Sequence, residues 1–168
     1  MNYWILQMNP NSFPVDRNYS LAREQGKTDW WGITRYLNKV EKCDIAFIWH
    51  SKDYRKRAKH KESGIYAQAQ VLCGTHHSPD EQKRIDQLKQ QESPQFLDSN
   101  ERTKQEAKPS ILIKYDKSYV GHQLTKGEIV SAGLSHICII TFPHQEICPL
   151  SESDAAQIMK LLENKSTK

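Results

Sequence analysis

The apolar residues of this chain come in short β-type bursts, at 3–8 (YWILQM), 44–50 (DIAFIWH), 64–72 (GIYAQAQVL), 111–115 (ILIKY) and 136–142 (HICIITF). Runs this short, rich in Ile, Val, Tyr, Phe and Trp, read as strands. Helix starts stand between them. Ser78-Pro79-Asp80-Glu81 offers a serine cap, a proline at the first helical position and a glutamate able to reach back, which predicts a helix over 78–91. Thr125 with Glu128 caps a short helix, and Ser151 with Asp154 opens another that carries Ile158, Leu161 and Leu162 on one face. The spacing of Ile33, Tyr36, Leu37 and Val40 predicts a helix over 33–41, with Trp30 and Trp31 in the turn before it, and 15–25 reads as a short helix stopped by Gly26. Residues 92–109 hold almost no aliphatic side chains and many charges, a surface loop. Strands alternating with helices, without an internal repeat or a dinucleotide glycine signature, give one α+β domain over 1–168.

At 168 residues the chain can bury roughly two thirds of its unfolded surface, so neither disulfides nor a metal is needed to hold a core. No apolar run of 18 residues could span a membrane, and the start lacks the pattern of a secretory signal, so a cytoplasmic location and no membrane partner are expected. Cys43, Cys73, Cys138 and Cys148 form no C-x-x-C pair, which argues for reduced, mostly buried thiols. His76-His77 would point to opposite faces of a strand, so no metal site and no cofactor are expected. G-x-S-x-G, H-E-x-x-H and phosphate-loop motifs are absent, and Asp53 and Glu62 among lysines and arginines read as charge balance. Glu41 and Asp44 read as turn residues. The chain is therefore not expected to be an enzyme.

Net charge is only +4, so its placement matters more than its size. Lys52, Arg55, Lys56, Arg57, Lys59 and Lys61 fall within ten positions between two strands, where a projecting finger could displace counterions from a phosphate backbone. A solvated loop would look the same in isolation. The neighbouring aromatics shift the balance: Trp4, Trp30, Trp31 and Trp49 all lie in the first third of the chain, with Tyr3, Tyr36 and Tyr66 close by. Core packing accounts for some of them, but two adjacent tryptophans cannot easily face one interior. An aromatic wall beside a basic finger suits an unstacked base.

Taken in order, Tyr3-Trp4-Ile5-Leu6, Trp31-Gly32-Ile33-Thr34-Arg35-Tyr36, Ile48-Trp49-His50-Ser51 and Gly64-Ile65-Tyr66-Ala67-x-Ala69 resemble the EVE family of the PUA-like superfamily. The close, Thr141-Phe142-Pro143 through Pro149-Leu150-Ser151-Glu152, is similar as well. The resemblance implies a curved β-barrel of about five to six strands with short helices around it, related to YTH readers of N6-methyladenine. It further implies a reader of a modified base in DNA, 5-methylcytosine, 5-hydroxymethylcytosine or N6-methyladenine, flipped into an aromatic cage. Members most like this chain serve as specificity domains of modification-dependent restriction systems, with nuclease or NTPase activity in a fused or partner polypeptide.

By that resemblance Trp31 is the first choice for the stacking wall, with Trp30 the fallback if the register shifts by one. Asn9 matches a base-edge contact and equally suits a turn before Pro10. Trp49 and Ser51 end a strand facing the same turn, with the Ser51 hydroxyl or N–H available to base or phosphate, and Tyr66 on the partner strand either closes the pocket or fills the core. The loop between W-x-S and G-I-Y-A is longer and more basic than is usual in the family, so its grip on the backbone is an inference from charge alone. A PUA-like RNA-binding module and a protein-interaction domain are the alternatives.

Overall fold

The computed structural model describes residues 1–10, 26–52, 54, 62–92 and 98–166. In chain order its elements are β1 (Tyr3–Met8), β2 (Thr28–Gly32), β3 (Ile45–His50), β4 (Gly64–Cys73), α1 (Pro79–Glu92), α2 (Ser99–Glu106), β5 (Ser110–Ser118), β6 (Leu124–Thr125), α3 (Lys126–Ser131), α4 (Cys138–Thr141), β7 (Ile147–Leu150) and α5 (Glu152–Ser166). The strands form one seven-stranded sheet in the order β2-β5-β4-β3-β1-β7, with β6 paired to β4 off that path. β1 and β3 run parallel and the other pairs antiparallel.

Alternation along the strands sorts the core into layers. On the inner face Trp4 and Leu6 of β1, Ala46 and Ile48 of β3, Ala67 and Ala69 of β4, and Ile111 and Ile113 of β5 pack together, joined by Ile33 and Val40 from the segment after β2. On the outer face Ile5, Phe47, Trp49 and Ile65 are covered by Ile129 of α3, Ile139 of α4, and Ile158 and Leu162 of α5. A third cluster joins Trp30, Cys73 and Leu112 to Ile85 of α1. The sheet is open but strongly curved, and side chains tie its two edges. Thr34, just past β2, donates to Glu146, just before β7, at 3.0 Å, and Lys108 pairs with the same carboxylate.

Close approach explains one glycine. A Cβ on Gly64 would lie 2.4 Å from the Leu124 carbonyl oxygen, so β6 can lie against β4 only where this side chain is missing. Thr125 and Glu128 form the reciprocal cap expected of them, each side chain accepting from the other's backbone N–H. Thr125→Ala is expected to cost about 1 kcal/mol, read as a lower urea midpoint with an unchanged slope.

Several elements differ from the sequence reading. Trp30 and Trp31 lie in strand β2 and not in a turn. Residues 33–41 form turns, with Tyr36 at φ 59°, and not a helix. Their apolar spacing is real, since Ile33, Tyr36, Leu37 and Val40 all pack on the inner cluster, but it reports which side chains are buried and not an α-helical backbone. The apolar run at 136–142 holds the short helix α4 where a strand was predicted; Ile137 and Ile139 are buried on the outer face, and a short apolar run carries no period to separate strand from helix. Residues 99–106 of the expected loop are helix α2, capped by the Asp98 side chain, and none of its residues is buried, which is why no apolar pattern marks it. β2, β6 and β7 bring the sheet to seven strands instead of five or six. The predicted helix at 15–25 lies outside the described residues.

Candidate functional site

The tryptophans separate. Because β2 is a strand, Trp30 and Trp31 point to opposite faces. Trp30 is 6% exposed beneath α1, with the Lys89 ammonium 5.0 Å from its ring centre. Burial pushes the Lys89 pKa down against the pull of Asp86 and Glu106, and its Nζ donates to the Glu106 carbonyl at 2.9 Å. Trp49 faces outward into the helix-covered cluster. Trp4 lies inside, its indole N–H donating to Asp44 at 2.8 Å and its ring 5.4 Å from that of Tyr36. Only Trp31 is left half-buried, packed against the inner cluster together with Met8, Tyr36 and Leu37. The pocket read from sequence as Trp31, Trp30, Asn9, Trp49, Ser51 and Tyr66 is thus divided between faces.

Trp31 and Met8 both pack against the inner cluster although their strands are far apart in the sheet order. Trp31 stands three residues before Thr34, and Met8 follows Gln7 directly. Glu146 joins the two stretches, its carboxylate accepting from Thr34 and its carbonyl accepting from the Gln7 N–H at 2.9 Å. Neither Met8 nor Glu146 carried a signal in the sequence, since only the curling of the sheet brings β7 to the residues after β2.

An irregularity aims Tyr66. Ile48 pairs with Ala67 and Trp49 with Ile65, so Tyr66 is the extra residue of a bulge. Its ring is buried against Met8 and Val120, and His50 meets it edge-on at 4.9 Å. The phenol donates to the Glu62 carbonyl at 3.0 Å. Burial first, then the nearby Glu62 carboxylate, pushes its pKa up to about 12, so it stays a neutral donor over the whole physiological range.

At the strand ends, Gln7 Nε2 donates both to Ser51 Oγ at 2.5 Å and to the Pro143 carbonyl at 2.7 Å. The Ser51 N–H donates to the Met8 carbonyl at 3.0 Å, so of the Ser51 groups the hydroxyl, which accepts from Gln7, keeps a proton to donate. Asn9 and Lys52 are exposed just beyond β1 and β3, and the Lys52 ammonium lies 5.4 Å from the Tyr54 ring centre. Arg55, Lys56, Arg57, Lys59 and Lys61 lie outside the described residues.

Asp44 is a buried hub and not a plain turn residue. It is 1% exposed and accepts from the N–H groups of Asn2 (2.6 Å) and Glu41 (3.0 Å) as well as from Trp4. Of the four thiols, all free, Cys73 and Cys148 are buried and Cys138 half-buried, while Cys43 is exposed. Among the described residues no group of three His, Cys, Asp or Glu side chains could hold a metal, and no helix is long and apolar enough to cross a membrane.

No curated protein matches the sequence. Solved structures do. A hypothetical protein from Leishmania major is 20% identical with a TM-score of 0.62, over 99% of this chain and 97% of that one. Human THYN1 in complex with 5-methylcytosine-containing DNA is 16% identical with a TM-score of 0.61, over 97% and 98%. The DUF55 domain of human thymocyte nuclear protein 1 is 17% identical with a TM-score of 0.59, over 96% and 98%. At these identities the likeness is one of fold. The EVE domain model matches residues 2–161, and with nearly its whole length covered the chain belongs to the EVE family.

Proposed function

We propose that this protein is a non-catalytic reader of a modified base in double-stranded DNA, with 5-methylcytosine the leading ligand and 5-hydroxymethylcytosine and N6-methyladenine its competitors. The observation that carries this reading is Trp31, an indole left half-buried against the inner apolar cluster while the other three tryptophans are buried, in an EVE-family chain. That its structural neighbour human THYN1 was captured with 5-methylcytosine-containing DNA supports the choice of polymer. The base leaves the duplex and stacks on Trp31, with Met8 and the Tyr66 ring behind it as apolar lining. Asn9 reads the base edge, the Ser51 hydroxyl and Lys52 meet the flanking phosphates, and the basic stretch from Arg55 to Lys61 follows the backbone.

Burying the methyl group contributes only about 0.8 kcal/mol. Selectivity therefore also needs the polar rim to reject the wrong Watson–Crick edge. In a modification-dependent restriction system this chain would supply specificity, and strand cleavage would belong to a fused or partner nuclease.

The test is fluorescence anisotropy with short duplexes that differ at one central base: cytosine, 5-methylcytosine, 5-hydroxymethylcytosine, adenine or N6-methyladenine, with an RNA competitor. The expected outcome is a preference of about tenfold, some 1.4 kcal/mol, for one modified duplex. Equal, steeply salt-dependent binding to all of them would reject the reader, and tighter binding of the RNA would move the assignment to that polymer.

A further inference from the structure

We infer that Phe142 is a wedge that enters the base stack beside the base being read, an inference that rests on the duplex-reading function proposed above. Among the described residues large apolar side chains are mostly buried, yet Phe142 is 59% exposed. Its exposure is not looseness. The Phe142 N–H donates to the Cys138 carbonyl at 2.7 Å, its carbonyl accepts from the Gln145 N–H at 3.1 Å, and Pro143 stiffens the next step of the chain.

The turn is braced against the proposed site on two sides. Gln7 Nε2 bonds both the Pro143 carbonyl and Ser51 Oγ, which puts the turn against the exit of β3, where exposed Lys52 begins the basic stretch. On the other side the Gln145 side chain accepts from the Arg35 guanidinium at 2.9 Å, four residues past Trp31. An exposed aromatic ring is therefore carried on a hydrogen-bonded turn that is tied on one side to Ser51, next to Lys52, and on the other to Arg35.

That exposed ring adds little to the core. It suits a duplex that has lost a base. Extrusion leaves an unstacked gap, an apolar side chain inserted at the step fills it, and cations on either side hold the neighbouring phosphates.

The test compares wild type, Phe142→Ala and Phe142→Trp on a duplex with one central 5-methylcytosine opposite guanine and 2-aminopurine as the adjacent base. A second duplex places the 5-methylcytosine opposite an abasic site, so that extrusion breaks no pair. Wild type should raise 2-aminopurine fluorescence on binding the paired duplex. Phe142→Ala should bind that duplex about tenfold more weakly and lose the rise, should change by less than about twofold on the abasic duplex, and should be rescued by Phe142→Trp. Unchanged affinity and fluorescence in Phe142→Ala, or equal weakening on both duplexes, would overturn the wedge and leave the reader standing. Equal binding by wild type of the 5-methylcytosine, 5-hydroxymethylcytosine and N6-methyladenine duplexes and their unmodified counterparts would overturn both.

Discussion

Trp31→Ala is expected to weaken binding to the preferred modified duplex by about ten- to a hundredfold, the effect of removing one base-stacking aromatic at roughly 1–3 kcal/mol. The fold should survive, because the indole is only half-buried and sits on the rim of the inner cluster. Trp31→Phe keeps a π-face and should recover most of the loss. The informative quantity is the ratio of affinities for modified and unmodified duplexes, measured at one salt concentration. Loss of stacking collapses that ratio, whereas loss of phosphate contacts lowers both affinities together and flattens the salt dependence. An unchanged ratio in Trp31→Ala would move the pocket away from this residue. Trp30→Ala, by contrast, should act through stability alone, since its ring lies beneath α1 on the opposite face.

Asp44→Ala should cost about 3 kcal/mol of folding stability at neutral pH. The carboxylate accepts from the Trp4 indole and from the Asn2 and Glu41 backbone N–H groups, and its removal leaves these donors without their acceptor in a site that is 1% exposed. Asp44→Asn should recover little, since an amide turns one acceptor into a donor facing donors.

The same site carries an acid dependence. Burial pushes the Asp44 pKa up, but the hydrogen bonds from Glu41, Trp4 and Asn2 outweigh it and hold the carboxyl below its ordinary value of 3.8. A folded pKa below the unfolded one means that the contribution is present above the unfolded value and is lost as pH falls through the folded one. Urea midpoints of wild type and Asp44→Ala should therefore differ most near neutral pH and converge as pH falls below the ordinary carboxyl value of 3.8. A gap that stays constant with pH would show that the ionised carboxylate is not what stabilises the wild type.

Asp44 also marks where sequence reading stops. One acidic residue before a strand looks like any other, and nothing local says that Asn2 and Trp4, some forty positions away, will close around it. The adjacent tryptophans were legible only in part. Their adjacency shows that both cannot face one interior, but assigning the outward one required β2 to be a strand paired with β5, and β2 has too few apolar neighbours to announce itself. The turn at 33–41 misleads for the opposite reason: a helical spacing of apolar side chains satisfies burial equally well on an irregular segment.

What the sequence determined by itself is local and periodic. The strands at 3–8, 44–50, 64–72 and 111–115, the caps at Ser78, Thr125 and Ser151, and the family-like motifs rest on side-chain alternation and hydrogen bonds within a few residues, which the order of residues alone encodes. The tertiary structure decided the seam. Glu146, Lys108 and Thr34 meet because a twisted sheet curls until its two edge strands approach, and the same fold packs Trp31 and Met8 against one cluster, turns Tyr66 inward through a bulge and ties Pro143, next to Phe142, to Gln7. Contacts between residues a hundred positions apart follow from how strands stack and twist together, and no short stretch of sequence carries that information.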